Sequence, residues 1–117
     1  MIEDAIYLGP AKEIKDPGSR GYQVFSKDQG HDVFVVRQQG VFKAYANQCP
    51  HTGAPMEWLP HHFLDYDLLL IQCATHGALF RVDNGLCLRG PCLGQKLKPL
   101  VVLQQEGELW LERTVSR

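Results

Sequence analysis

Cys49 and His51 stand in the segment Cys49-Pro50-His51-Thr52-Gly53, and Cys73 and His76 in Cys73-Ala74-Thr75-His76-Gly77, so each short segment carries a cysteine, a histidine and then a glycine. Two thiolates and two imidazoles make a metal site. That donor set has two common solutions, a tetrahedral structural zinc or a two-iron, two-sulfide cluster with cysteine on one iron and histidine on the other. Structural zinc loops present cysteines as C-x2-C to C-x4-C and histidines as H-x3-H to H-x5-H, so the C-x-H spacing here speaks against zinc without excluding it. In a two-iron cluster the two loops clamp from either side, Cys49 and Cys73 on one iron and His51 and His76 on the other. Gly53 and Gly77 let the turns bend back so that backbone N–H groups approach the sulfides. Pro50 stiffens the first loop and removes a donor.

The elements that must hold these segments have the period of strands. Residues 32–37 and 41–46 are β-branched and aromatic runs separated by Gln38-Gln39-Gly40, which predicts a hairpin. A second hairpin is expected from residues 100–103, the Gln105-Glu106-Gly107 turn and residues 109–112. Residues 68–72 read as a strand running into Cys73, and residues 78–82 as one leaving the second segment toward the Asp83-Asn84-Gly85 turn. Two more short strands, residues 7–10 and 21–25, flank Asp16-Pro17-Gly18-Ser19. Apart from a single turn around residues 60–64 there is no helical stripe, so the fold expected is an all-β antiparallel sandwich or barrel.

A chain of 117 residues is one domain, residues 1–117, by the size of core it can close. With 12 Lys+Arg against 13 Asp+Glu and no block of like charge, nothing would concentrate nucleic acid or anionic lipid. The longest apolar runs are strand-sized and far too short to span a bilayer. The opening Met1-Ile2-Glu3-Asp4 lacks the basic and apolar regions of a signal peptide, so a soluble, cytoplasmic protein is expected. A reducing compartment does not keep a disulfide framework, and Cys87 and Cys92 read as buried thiols, with a regulatory thiol pair the sharper alternative.

The segments Cys49 to Met56 and Cys73 to Phe80 resemble the cluster-binding boxes of Rieske-type iron-sulfur proteins, specifically the small soluble ferredoxin class. The strands before Cys49, the Gly90-Pro91 segment and the final hairpin extend the resemblance over most of the chain. It implies one [2Fe-2S] cluster on Cys49, His51, Cys73 and His76, in a small subdomain inserted at about residues 47–91. It also implies that the two histidines sit at the tip with an imidazole edge near solvent. Met56, Trp58, Leu79 and Pro91 would form an apolar rim there, although Met56 and Trp58 suit core packing better than docking.

The departures from the family pattern carry information. Twenty-one residues separate His51 from Cys73, and the surplus around residues 59–63 predicts a lengthened loop. Respiratory members carry a further cysteine in each box, paired as a disulfide, where this chain has Ala54 and Thr75. They also place a serine and a tyrosine hydroxyl near the sulfurs, where this chain has Ala78 and Phe80. Hydrogen bonds to sulfur stabilise the added electron, so their loss predicts a potential toward about −150 mV rather than about +300 mV. His61 and His62 lack matched acidic ligands and read as a solvated loop rather than a second metal site, and His31 reads as a surface residue.

With four ligands placed, 117 residues leave no room for the domain that would hold a mononuclear iron, so the chain is read as a one-electron carrier rather than the oxygenase itself. The resemblance implies transient redox partners, a reductase upstream and a terminal oxygenase or similar enzyme downstream, with the carrier a monomer. Alternatives are a small accessory subunit of a reductase such as nitrite reductase, a structural-zinc interaction module, and a redox or iron sensor.

Overall fold

In residues 32–37 both alternating sets of side chains are apolar, so a strand there must be covered on both faces. The computed structural model describes residues 5–26, 29–50, 55–57, 59–73 and 77–112. β3 (Gln29–Gln38) carries Val33 and Val35 on one face and Phe34 and Val36 on the other, none more than 3% exposed. β4 (Val41–Ala46) returns antiparallel, with Gln38 opposite Val41. Gln39 (φ 52) and Gly40 (φ 77) both take left-handed backbone, the two-residue connection whose twist matches that of the strands. The Asp16 carboxylate accepts both of their N–H groups, at 2.9 and 2.8 Å, and fixes the turn from outside. The expected hairpin forms.

β2 (Gly18–Ser26) pairs along β3, from Gly18 opposite Arg37 to Phe25 opposite Gly30, and β8 (Pro99–Leu100) adds to β4. A second sheet joins β1 (Ala5–Pro10), β10 (Glu108–Glu112) and β9 (Val102–Gln105), in the order β1-β10-β9. The strand expected over residues 100–103 is therefore divided: Leu100 belongs to the first sheet, Val102 to the second, and Val101 lies exposed between them. Apolar character continues through the break, but the hydrogen-bond partner changes. Between the two sheets lies an aliphatic core that includes Ile14, Val24, Val33, Val35, Leu109 and Leu111.

The other face of β3 and β4 looks onto a third, much smaller sheet, β5 (Ile71–Gln72), β6 (Leu79–Phe80) and β7 (Cys87–Arg89), in that order. In sequence it lies between β4 and β8, which pair with each other. Phe34 stacks on Phe63 with ring centroids 4.3 Å apart and planes 5° from parallel. The Tyr45 hydroxyl donates to the Val82 carbonyl at 2.6 Å, and burial, with the Asp83 charge second, pushes its pKa up to about 12. The strand expected over residues 68–72 shortens to its last two residues, because Leu68 is left-handed (φ 61) and the Asp65 carboxylate takes the N–H groups of Leu69 (3.0 Å) and Leu70 (3.2 Å). Residues 78–82 likewise pair as a ladder only at Leu79 and Phe80. Every ladder is antiparallel, and among the described residues no helix is long and apolar enough to cross a membrane.

Candidate metal centre

β4 ends at Ala46, and the next residue closes the first Cys/His segment. Asn47 is a buried polar residue, 7% exposed, and its side chain is used at both ends. The amide oxygen accepts the Met56 N–H at 2.7 Å, while the amide nitrogen donates to the Glu57 carboxylate, also at 2.7 Å. The Asn47 N–H donates to the Asp32 carbonyl at 2.8 Å, tying the same residue to β3. One side chain thus spans the loop from residue 48 to residue 55. Just inside it, Cys49 is buried at 2% exposure.

The second segment starts where β5 stops. The Cys73 N–H donates to the Ala78 carbonyl at 2.8 Å, and the Cys73 carbonyl accepts the Gly77 N–H at 2.8 Å. These bonds extend the β5–β6 ladder by one rung and join Cys73 to Gly77 and Ala78, with Gly77 left-handed at φ 67. Cys73 is fully buried.

Cys49 and Cys73 belong to the same core, together with Cys87 and Cys92, so all four sulfurs lie on one side of β3 and none in the aliphatic core. His51, His76, Ala54, Trp58 and Thr75 lie outside the described residues. Among the described residues there is no group of three or more His, Cys, Asp or Glu side chains that could hold a metal ion. Two thiols in one water-poor core fit the soft half of a mixed thiolate and imidazole donor set, each at the mouth of a loop that carries a histidine. Burial, followed by the bond to Cys87 and the proximity of Cys87 and Cys49, pushes the Cys92 thiol up to about 12.

A third segment presses on the second loop. A Cβ at Gly90 would stand 2.9 Å from both Cα and Cβ of Ala78, and the glycine is left-handed (φ 111), so two backbones meet where no side chain fits. Ala78 and Phe80 are both fully buried and bring no hydroxyl. Met56, for which core packing is the stronger expectation, is completely buried, the Asn47 bond drawing its backbone into the core. Pro91 is exposed and Leu79 half-buried, while Leu88 (45% exposed) and Leu93 (67%) extend the apolar surface around Pro91. Those two leucines were not legible as surface residues, since apolar character alone predicts burial.

His61 and His62 are exposed, as expected of the lengthened loop, yet His61 is structurally engaged. Its Nδ1 accepts the Gly21 N–H at 3.0 Å and its carbonyl accepts the Ser19 hydroxyl at 2.7 Å, while Ser19 Oγ accepts the Phe63 N–H at 3.1 Å. The loop is latched onto β2. His31 is exposed on β3.

The sequence pattern of the Rieske [2Fe-2S] domain matches residues 5–109. No curated protein matches the chain. Among solved structures, a chain in the complex of reduced oxygenase and oxidized ferredoxin in carbazole 1,9a-dioxygenase superposes with a TM-score of 0.75 at 22% identity, covering 99% of each chain. The ferredoxin of carbazole 1,9a-dioxygenase from Nocardioides aromaticivorans IC177 gives 0.73 at 19% identity, over 96% of this chain and 100% of that one. The terminal oxygenase of carbazole 1,9a-dioxygenase from Novosphingobium sp. KA1 gives 0.71 at 22% identity, with 96% of this chain matching 31% of that one. At such identities the likeness is one of fold.

Proposed function

Because the chain belongs to the Rieske [2Fe-2S] domain family, we propose that it is an electron carrier that takes single electrons from a reductase and delivers them to an oxygenase or similar terminal enzyme. Proteins of carbazole 1,9a-dioxygenase, both a ferredoxin and an oxygenase, share its fold and support that pairing. We assign the cluster to Cys49 and Cys73 on one iron and His51 and His76 on the other, within a unit of about residues 47–91. The observation that carries the assignment is the burial of Cys49 and Cys73 in one core, each followed two or three residues on by its histidine.

When bound, the cluster takes up and gives back one electron without bonding to a substrate. The protein's own residues hold, tune and present it. Asn47 and the Cys73–Ala78 bonds fix the two loops, and Ala78 and Phe80 withhold hydroxyl donors, which favours a potential near the low end of the Rieske range, about −150 mV. Pro91, Leu88 and Leu93 offer a small apolar surface suited to brief redox encounters. A monomer in the cytoplasm completes the reading.

The EPR spectrum of the dithionite-reduced protein tests it. A rhombic signal with the low average g of mixed His/Cys ligation is expected, lost together with the visible absorption in Cys73→Ser and kept in His61→Ala. Zinc without iron or acid-labile sulfide, in protein prepared anaerobically, would overturn the assignment.

A further inference from the structure

The core that receives Cys49 and Cys73 also holds a second pair of sulfurs for which the carrier reading has no use. Cys87 begins β7 and is 1% exposed; Cys92 follows the Gly90-Pro91 turn and is fully buried. The Cys92 thiol donates to the Cys87 sulfur at 3.2 Å, and the Cys87 thiol donates to the Arg89 carbonyl, also at 3.2 Å. A disulfide bond is about 2.05 Å long, so only a small approach separates these sulfurs from a covalent bond.

The backbone around them can supply that approach. Cys87 is joined to the return of its loop by its N–H to the Gln95 carbonyl (2.8 Å) and by its carbonyl to the Gly94 N–H (3.2 Å). Between these ties the chain turns through two left-handed glycines, Gly90 (φ 111) and Gly94 (φ 88). The residues flanking the two cysteines, Leu88 to Pro91 together with Leu93 and Gly94, are exposed, so the pair belongs to an outer layer of loop. Such a layer opens by breaking a few hydrogen bonds rather than by unfolding the domain.

We propose that Cys87 and Cys92 form a reversible dithiol–disulfide couple, a modification site oxidised by hydrogen peroxide. Cys87 is the attacking sulfur, because after losing its proton it keeps the Cys92 S–H as a donor. Its thiolate attacks one peroxide oxygen; the O–O bond breaks, leaving a sulfenic acid and a hydroxide that takes up the released proton as water. Cys92 sulfur then attacks Cys87 sulfur; the S–S bond forms, the S–O bond breaks, and the leaving oxygen departs as a second water with the Cys92 proton. Two electrons pass from the thiols to the peroxide, and a dithiol reductant returns them by thiol–disulfide exchange.

The couple also reaches the candidate metal loops, a consequence that rests on the Rieske reading. Gly90 lies inside the ring that the disulfide would close, and its backbone is packed on Ala78, whose carbonyl accepts the Cys73 N–H. Drawing Cys87 and Cys92 together moves the wall of the second loop.

The experiment uses the full chain with its metal, reduced with dithiothreitol, desalted, treated with hydrogen peroxide and quenched with N-ethylmaleimide. Arg89 lies between the two cysteines, so tryptic cleavage separates them and only a disulfide keeps the peptides joined. The expected result is a protein that takes up two fewer maleimides than the untreated control when unfolded, a Cys87–Cys92 linked peptide pair that dithiothreitol separates, and no such product in Cys87→Ser or Cys92→Ser. Should the oxidised wild type instead carry only sulfinic or sulfonic acid, or link Cys49 to Cys73, the couple is overturned. The midpoint potential of the iron signal is expected to differ between the dithiol and disulfide forms of the wild type and to be insensitive to peroxide in Cys92→Ser. An unchanged potential beside a proven disulfide would overturn the coupling to the metal loops. Absence of iron and sulfide from every sample would sink the Rieske reading and leave the peptide result standing.

Discussion

On one side of β3 lies a core of aliphatic side chains between two sheets, and on the other a core in which aromatic rings, a methionine and four cysteines join the aliphatic side chains beneath strands of two or three residues. The first is held by ladders, since β2 and β3 pair over almost their whole length. The second has few ladder bonds, and side chains tie its backbone instead: Asn47 across the first loop, Asp65 before β5, Ser19 and His61 under the long loop, and Tyr45 to Val82. A long ladder holds its shape with any apolar filling, whereas a loop that must place donor atoms needs each backbone position set by a specific bond. The sandwich is the foundation and the sulfur-rich core is the instrument built on it.

The sharpest way to break that division is to remove the metal. Chelation of iron from the reduced protein is expected to abolish the visible absorption and to release the amides of β5 to β7 to hydrogen exchange, while those of β2 and β3 stay protected. Equal loss of protection in both regions would make them one cooperative unit.

Next in size is Leu109→Ala in the aliphatic core. Leu109 is fully buried, so the variant should lose about 2–5 kcal/mol in denaturant unfolding. Its midpoint potential should match that of the wild type; a shifted potential would show that the foundation tunes the instrument.

Tyr45→Phe cuts a tie between the two regions. Leaving the Val82 carbonyl without its donor is expected to cost about 1–3 kcal/mol at neutral pH. The folded phenol, raised from 10.0 to about 12, favours the protonated form. Its contribution is therefore full below pH 10 and is lost as pH rises toward about 12. Unfolding curves across that range should lose stability in the wild type beyond what the phenylalanine variant loses.

The smallest effect is expected from Ala78→Ser, which adds a hydroxyl beside the second loop and should raise the midpoint potential with little change in unfolding. An unchanged potential would mean that the hydroxyl is turned elsewhere by the Gly90 backbone, which already crowds this position.

Much of the sandwich was legible because its signals are local. The β3–β4 hairpin follows from period two and from Gln39-Gly40, and the final hairpin from Glu106 and Gly107, which take φ 53 and 79. Where expectation and structure part, a distant partner decides. The run through residues 100–103 looks continuous, yet β8 answers to β4 and β9 to β10, so the ladder breaks at Val101. Residues 68–70 have the composition of a strand and are bent by the Asp65 carboxylate. Met56 lies in the core, the reading its residue type favours, but what holds it there is not local: Asn47, nine residues earlier, accepts its N–H.

What the sequence by itself determined is chemical identity: the residue types at the proposed ligands Cys49, His51, Cys73 and His76, their spacing within each segment, and the absence of hydroxyls at Ala78 and Phe80. These are properties of residues and of short chain segments, and they do not depend on how sheets meet. Only the tertiary structure decided which sulfurs share a core, that Gly90 rests on Ala78, and that Cys92 and Cys87 lie 3.2 Å apart. The reason is physical: contacts between separate segments exist only once the sheets have closed, and β3, buried on both faces, is the wall that assigns the four cysteine sulfurs to one side.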